Sequence, residues 1–322
     1  MSVQQSDSQA IVVVCQEQGL QFQESLAKLL AGFLDSQDVS LASRETYKRE
    51  LRQFFFWLQG QGLNLSLARE DILAYKRWLQ EGKKLSVYSV NGYLVALRRF
   101  YTWLQAQGLY PNVCEVKGAK KPRGFSKDTF TPGQLRDILS GIDTASLDGL
   151  RDFALVNLLA RTALRTIELA RANVGDLRQE SGQAVLYIQG KGRASKDDFV
   201  ILTDEAERPL RKYLHARAKI EGRPLQDSFP LFSSLSDRNR GQGLTPRSIS
   251  RTCKAAFRQA GLDSSRLTAH SLRHTGITLA LKGGASIQQA QAMARHADIS
   301  TTMIYAHNLD RVSQAAERCI QF

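Results

Sequence analysis

The 322-residue sequence predicts a mainly α protein of the α+β kind: an N-terminal helical bundle, then a mixed, mostly helical domain with one small β-sheet. Three observations carry that expectation. The chain is too long for one ordinary core, which suggests two domains. Apolar residues over the first hundred positions recur at helical spacing. The β-rich runs are short, Ala184 to Ile188 and Phe199 to Leu202, and both lie in the second half.

Taken in order, Leu26, Leu29, Leu30, Phe33 and Leu34 form one amphipathic stripe. Ser43 is expected to cap a second helix, whose Tyr47, Leu51, Phe54, Phe55 and Leu58 recur on one face. A third helix is expected after Ser66, with Ile72, Tyr75 and Leu79 inward. A fourth runs from about Ser86 to Gln107 and carries Val90, Tyr93, Leu97, Phe100, Tyr101 and Leu104. Short connections holding Gly60, Gly62 and Gly82 fold these four into a small bundle. Lys117, Lys120, Lys121, Arg123 and Lys127 follow, broken by Gly118, Pro122 and Gly124, so this stretch reads as an extended basic linker. Such a linker suits a strap along a phosphate backbone, and equally a solvated connection with incidental charge.

The second half opens on Thr131-Pro132-Gly133-Gln134, a capping box with Pro at the first helical position. A helix from about Leu147 to Leu159 comes next. The two β-rich runs flank Gly190-Lys191-Gly192 and predict a hairpin. Another helix starts at Thr245-Pro246 with Ile249, Cys253 and Phe257 on one face, and the rest to about Asn308 is helical with breaks at Gly283-Gly284 and near Asp298. The expected layout is therefore a segment 1–19, a helical domain 20–115, a basic linker 116–128, a second domain 129–308 and a tail 309–322.

Composition narrows the function. A hydrophobic content of 43% with 23% charged residues is an ordinary globular balance, which argues against wholesale disorder. No apolar run approaches the roughly 20 residues that cross a bilayer, and the first residues lack the basic start and long apolar stretch of a secretory signal. Cys15, Cys114, Cys253 and Cys319 are scattered without CxxC spacing, as expected of reduced thiols in a cytoplasm. The net charge is +13; residues 1–39 hold Lys28 against Asp7, Glu17, Glu24, Asp35 and Asp38, a balance of −4, so the remainder carries +17. An excess of that size points to a polyanion, above all nucleic acid, with a basic enzyme whose charge serves solubility as the alternative.

Five separated pieces of the second half carry chemistry-bearing residues. They are Ala163-Leu164-Arg165-Thr166-Ile167-Glu168-Leu169, Gly190-Lys191-Gly192, His270-Ser271-Leu272-Arg273-His274-Thr275, His296, and Tyr305 nine residues later. Each residue has an ordinary explanation when taken singly. Tyr305 suits a packing aromatic, Arg165 and Glu168 a helical i, i+3 ion pair, and Lys191 a hairpin turn. His270 and His274 at i, i+4, with His296, could suggest a metal site, but no Asp or Glu of the motif completes it and no metal is expected. Taken together and in order, the pieces resemble the tyrosine recombinases, the phage-integrase and Xer-type family. The likeness covers the whole second half and extends more loosely to the N-terminal bundle, which resembles that family's SAM-like, DNA-binding core-binding domain.

The resemblance implies a site-specific enzyme that cuts and rejoins duplex DNA through a covalent 3′-phosphotyrosine. Carried over by position, Arg165 and Arg273 would be the two catalytic arginines, Lys191 the hairpin lysine, His270 and His296 the two histidines, Tyr305 the nucleophile, and Glu168 the supporting acid. The family usually carries glycine where this chain has Ala163 and Arg295. The residue types suit the reaction. A phenol of pKa about 10 is only roughly 0.1% ionised at pH 7 and needs help to attack an anion. Two permanently charged guanidiniums can hold the phosphate oxygens bidentately. Lys191 can protonate the leaving 5′ oxygen, His270 can manage the phenol's proton, and His296 can donate to a non-bridging oxygen. The phosphotyrosine conserves bond energy, so neither ATP nor a metal cofactor is expected.

For DNA contacts, Lys48, Arg52, Arg98 and Arg99 on the bundle, Lys120, Lys121 and Arg123 in the linker, and Arg247 and Arg251 one turn apart after Pro246 are candidates, each equally a solvated position. The family implies a C-shaped clamp on a double-stranded site and a homotetramer during strand exchange. Val312, Ala315, Ala316 and Ile320 could form the face of a tail that docks on a neighbour. Rival readings are a type IB topoisomerase-like enzyme and a catalytically inactive DNA-binding accessory protein of the same fold. Integration, excision and resolution of a mobile element or replicon would all use the same machinery.

Overall fold

The structure, a computed structural model, is described over residues 25–120, 128–190, 193, 195–307 and 320. The chain divides into two compact units, 1–122 and 123–322.

The first unit is a helical bundle. Its helices are α1 (25–35), α2 (Leu41–Gly60), α3 (Arg69–Arg77), a π-helical turn (Trp78–Gly82) and α4 (Val87–Ala106). The stripes expected from periodicity meet in one core, where Phe33, Leu51, Phe54, Leu58, Ile72, Tyr75, Leu79, Val90, Leu97 and Phe100 are buried. Tyr47 and Tyr93 are only half-buried at its edge. The cap of α2 is Ser40 rather than Ser43: the Ser43 amide donates to Ser40 Oγ at 3.3 Å, so the helix begins sooner than expected. α3 starts at Arg69, where Asp71 Oδ2 accepts from the Ala68 amide at 2.8 Å. α4 begins where expected, with Ser86 as its cap, accepting from the Ser89 amide at 3.1 Å.

Extended chain follows α4 and is tied back to the bundle. Cys114, Val116 and Ala119 are buried in its core, Arg98 Nη2 donates to the Val116 carbonyl at 2.9 Å, and Asn91 exchanges two bonds with Ala119. The first part of the expected basic linker is thus a seated irregular segment, held because its backbone groups need partners. Lys121, Arg123 and Lys127 lie outside the described residues.

The second unit contains α5 (Pro132–Ser140), α6 (Leu147–Thr162), α7 (Thr166–Ala170), β1 (Leu177–Glu180), β2 (Gln183–Ile188), β3 (Asp198–Ile201), α8 (Asp204–Glu221), α9 (Pro246–Gln259), α10 (Ala269–Lys282), α11 (Ile287–Ala294) and α12 (Ile299–His307). The capping box of α5 forms, with Gln134 N donating to Thr131 Oγ1 at 3.1 Å and Thr131 N to Gln134 Oε1 at 2.9 Å. The sheet is antiparallel in the order β1-β2-β3, with Leu186 opposite both Leu177 and Val200. β2 and β3 are the expected hairpin.

Sequence reading passes over β1, α7 and α8. β1 is a short polar edge, Leu-Arg-Gln-Glu, with little apolar signal. The inward stripe of α8 is Ala206, Leu210, Tyr213 and Arg217, masked by Pro209 and by its heavy charge. α6 is the central helix, buried nearly all round from Ala154 to Ala160 and packed by α8 and α10. α10 approaches it closely at Gly276, where a Cβ would stand 2.6 Å from the Ala160 carbonyl oxygen. Among the described residues no helix is long and apolar enough to cross a membrane.

Candidate active site

Four helix ends and one helix face build the site. α6 stops at Thr162, and Ala163 takes the left-handed conformation (φ 51°) that turns the chain into α7. Arg165 sits at the N-cap of α7. Glu168, three residues on, accepts the Arg165 amide on Oε2 at 2.7 Å and its guanidinium on Oε1 at 2.6 Å. The i, i+3 ion pair that is the ordinary explanation of these two residues therefore exists, inside a larger cluster.

α10 supplies His270, Arg273 and His274 from one side of its first two turns. Arg273 is 2% exposed and donates to the carbonyls of Ala163 and Ala294, the ends of α6 and α11. These are backbone acceptors that helix termination leaves open. α11 ends on Arg295, also left-handed (φ 54°), and His296 follows with Nδ1 2.9 Å from Thr302 Oγ1. The two positions where the resembled family prefers glycine thus both have positive φ, a conformation that glycine takes without a Cβ clash.

Tyr305, on α12, is 3% exposed. Its hydroxyl lies 2.5 Å from His274 Nδ1, the imidazole tautomer deciding which group donates. Its ring stacks at 6.0 Å on His296 and stands 5.4 Å from His274, whose ring meets His270 edge-on at 4.5 Å. Arg165, His270, Arg273, His296 and Tyr305 come together in one cluster, linked by ring contacts and by their charges; Lys191 lies outside the described residues. Sequence reading did not single out His274 as the phenol's partner, although it directly follows Arg273.

The electrostatics are those of crowded cations. Burial pushes the Tyr305 phenol up to about 12, against the pull of Arg273 and Arg165. Burial, then the charges of His270, Arg273 and His296, bring His274 down to about 4, and burial with Arg273, Arg165 and Arg295 does the same to His296. Both imidazoles are neutral at pH 7. Burial, Arg165 and Arg295 lower Arg273 to about 10, so it stays charged. Burial alone would raise the Glu168 carboxyl, but Arg295 and the Arg165 amide and guanidinium outweigh it and hold it low. A cluster whose cations depress one another is built for an anion. Among the described residues no three His, Cys, Asp or Glu side chains stand together to hold a metal ion.

The residues named as DNA contacts are dispersed. Lys48 and Arg52 on α2 line a basic depression with Arg49, Lys83, Phe56 and Tyr93. Arg99 is exposed and stacks over the Tyr47 ring at 5.7 Å, while Arg98 is half-buried and committed in part to the Val116 carbonyl. Lys120, Arg247 and Arg251 are exposed.

Comparison with known proteins agrees with the geometry. The phage integrase family model matches residues 128–311, and that of the phage integrase N-terminal SAM-like domain matches residues 26–108. Tyrosine recombinase XerD of Listeria monocytogenes serotype 4b is 32% identical over 268 residues, spanning 82% of this chain and 86% of that protein. Two solved structures share the fold at low identity. XerH site-specific recombinase bound to palindromic difH substrate, a post-cleavage complex, gives a TM-score of 0.72 at 21% identity over 91% of this chain and 84% of that one. The Tn1549 transposon integrase in complex with transposon right end DNA gives 0.70 at 19% identity over 92% and 99%. The first family model alone takes in more than half of the sequence, and the chain belongs to the phage integrase family, the tyrosine recombinases.

Proposed function

We propose that this protein is a site-specific recombinase in which Tyr305 attacks a DNA phosphodiester and holds the broken 3′ end as a phosphotyrosine. The observation that carries the reading is the phenol itself: the Tyr305 hydroxyl is buried on an imidazole, in the field of the same two guanidiniums that would bind the phosphate. Arg165, 29% exposed, and Arg273 hold the non-bridging oxygens, whose charge grows in the transition state. Arg273 gives two of its five N–H groups to the Ala163 and Ala294 carbonyls. His296, oriented by Thr302, donates to one phosphate oxygen. Lys191 delivers a proton to the leaving 5′ oxygen, and the free 5′-hydroxyl later reverses the step on the incoming strand.

The phenol's proton passes to the pair His274 and His270, with His274 in direct contact with the hydroxyl. With the phenol pushed up and the imidazole pushed down by burial, full transfer in the DNA-free protein is strongly uphill, so this state is a resting one. An incoming phosphate adds negative charge beside the imidazoles, raises their affinity for a proton and narrows that gap. Because Tyr305 is almost fully buried, attack also requires α12 to shift on α10 as DNA enters. The basic positions of both units bind the duplex backbone, and four protomers assemble on two sites because each exchange needs four cleavages. The protein works in the cytoplasm, where the buried thiols of Cys114 and Cys253 stay reduced.

The test is covalent trapping. A nicked duplex, selected from a randomised library by the wild-type protein, should give a denaturation-resistant adduct. Tyr305→Phe should bind the same duplex with unchanged affinity and give none. An adduct surviving in that variant would remove Tyr305 from the role.

A further inference from the structure

Arg295 stands where the family usually has glycine, in a conformation that disfavours a side chain, and its guanidinium is nevertheless engaged. The side chain is 8% exposed. Nη2 donates to Glu168 Oε2 at 2.9 Å and to the Ala163 carbonyl at 3.2 Å, and Nη1 donates to the Met293 carbonyl at 2.6 Å. Its two outward acceptors are those already used by the two arginines of the site: Glu168 anchors Arg165, and the Ala163 carbonyl anchors Arg273. Its own carbonyl receives Arg165 Nη2 at 3.4 Å.

We propose that Arg295 is a positioning residue, a bridge that ties the anchor of Arg165 to the anchor of Arg273 and so fixes the spacing of the two guanidiniums that receive the scissile phosphate. The assignment rests on the reading of Arg165 and Arg273 given above. Charge supports it. With Arg295 the cluster of three guanidiniums and one carboxylate carries +2, against +1 for a family member with glycine there, and the phosphate gains negative charge in the transition state. Arg295 is also the foremost group holding the buried Glu168 ionised. The other charged groups facing this network are Arg165 from α7, Arg273 from α10 and Asp198 from β3. Without Arg295, Glu168 keeps only Arg165 against its burial, takes up a proton at higher pH, and can no longer accept both bonds from Arg165.

The experiment compares Arg295→Gly, which suits the left-handed backbone, Arg295→Lys, Glu168→Gln and the double variant Arg295→Gly/Glu168→Gln with wild type. Single-turnover adduct formation on the trapped duplex is measured at pH 6 and pH 8 with protein saturating. Arg295→Gly should be slowed about tenfold or more at pH 8 and further at pH 6, with DNA affinity little changed; Arg295→Lys should recover most of the rate, and the double variant should be no slower than either single one. A wild-type rate in Arg295→Gly, an equal loss at both pH values, or additive losses in the double variant would overturn the assignment. A second arm needs no DNA: thermal unfolding of the full chain from pH 7 to pH 5. The melting temperature of Arg295→Gly should fall less steeply than that of wild type, because its folded state takes up at Glu168 a proton that the wild type refuses, and the Glu168→Gln background should abolish the difference. Parallel curves would also overturn it, whereas a wild-type protein that traps no duplex would instead overturn the recombinase reading.

Discussion

Replacing Gly276 by alanine tests how closely the site depends on the seat of α10 against α6. The new Cβ would stand 2.6 Å from the Ala160 carbonyl oxygen, where ordinary contact begins at 3.4 Å. The obstacle is backbone rather than a side chain that can swing aside, so the helices must part by about 0.8 Å. Overpacking of this kind costs about 1–3 kcal/mol. For a unit of this size that lowers Tm by about 3–10 °C. The site should suffer more than the fold. α10 carries His270, Arg273 and His274, and Arg273 reaches across to Ala163, immediately beyond the end of α6. A displacement near 1 Å at reacting groups can cost about 100-fold in rate. Calorimetry and single-turnover adduct formation should show both losses together. Gly133→Ala in α5 is the control, because the nearest atom to its Cβ is Thr131 Oγ1 at an ordinary 3.8 Å, and both measurements should stay at wild-type values. A Gly276→Ala protein that melts and cleaves like wild type would refute the idea that this close approach holds the site in register.

Two further expectations accompany the Tyr305 and Arg295 experiments. His274 and His296 titrate near 4 in the folded protein against about 6.5 in an unfolded chain. Between those values the unfolded chain binds more protons, so stability falls as pH drops through that window. His274→Gln should therefore flatten the pH dependence of Tm between pH 7 and pH 5, and an unchanged slope would show that His274 is not held neutral. Lys191→Ala should abolish adduct formation on an ordinary duplex but not on one whose leaving oxygen is replaced by sulfur, because a thiolate departs without a proton. Equal loss on both duplexes would exclude Lys191 as the acid.

Much of this was legible in order along the chain, for a local reason. Helical faces follow from the backbone's own period, so the stripes of α2, α4 and α9 and the capping box of α5 could be read before any packing was known. The hairpin strands β2 and β3 announced themselves by β-branched and aromatic residues, whereas the polar edge β1 and the charged, proline-bearing α8 did not. The chemistry was equally readable as a set of residue types, because an anionic transition state calls for guanidiniums whatever the fold around them. Tertiary structure alone decided which groups meet. No spacing rule announces that the Arg273 guanidinium is held by the carbonyls ending α6 and α11, since helix-end carbonyls are anonymous in sequence. Nor does one reveal that His274 touches the phenol, or that Arg295 folds its charge inward from a left-handed cap onto Glu168. Those outcomes depend on burial and on the mutual seating of α6, α7, α10, α11 and α12, and burial is a property of the whole domain rather than of any segment within it.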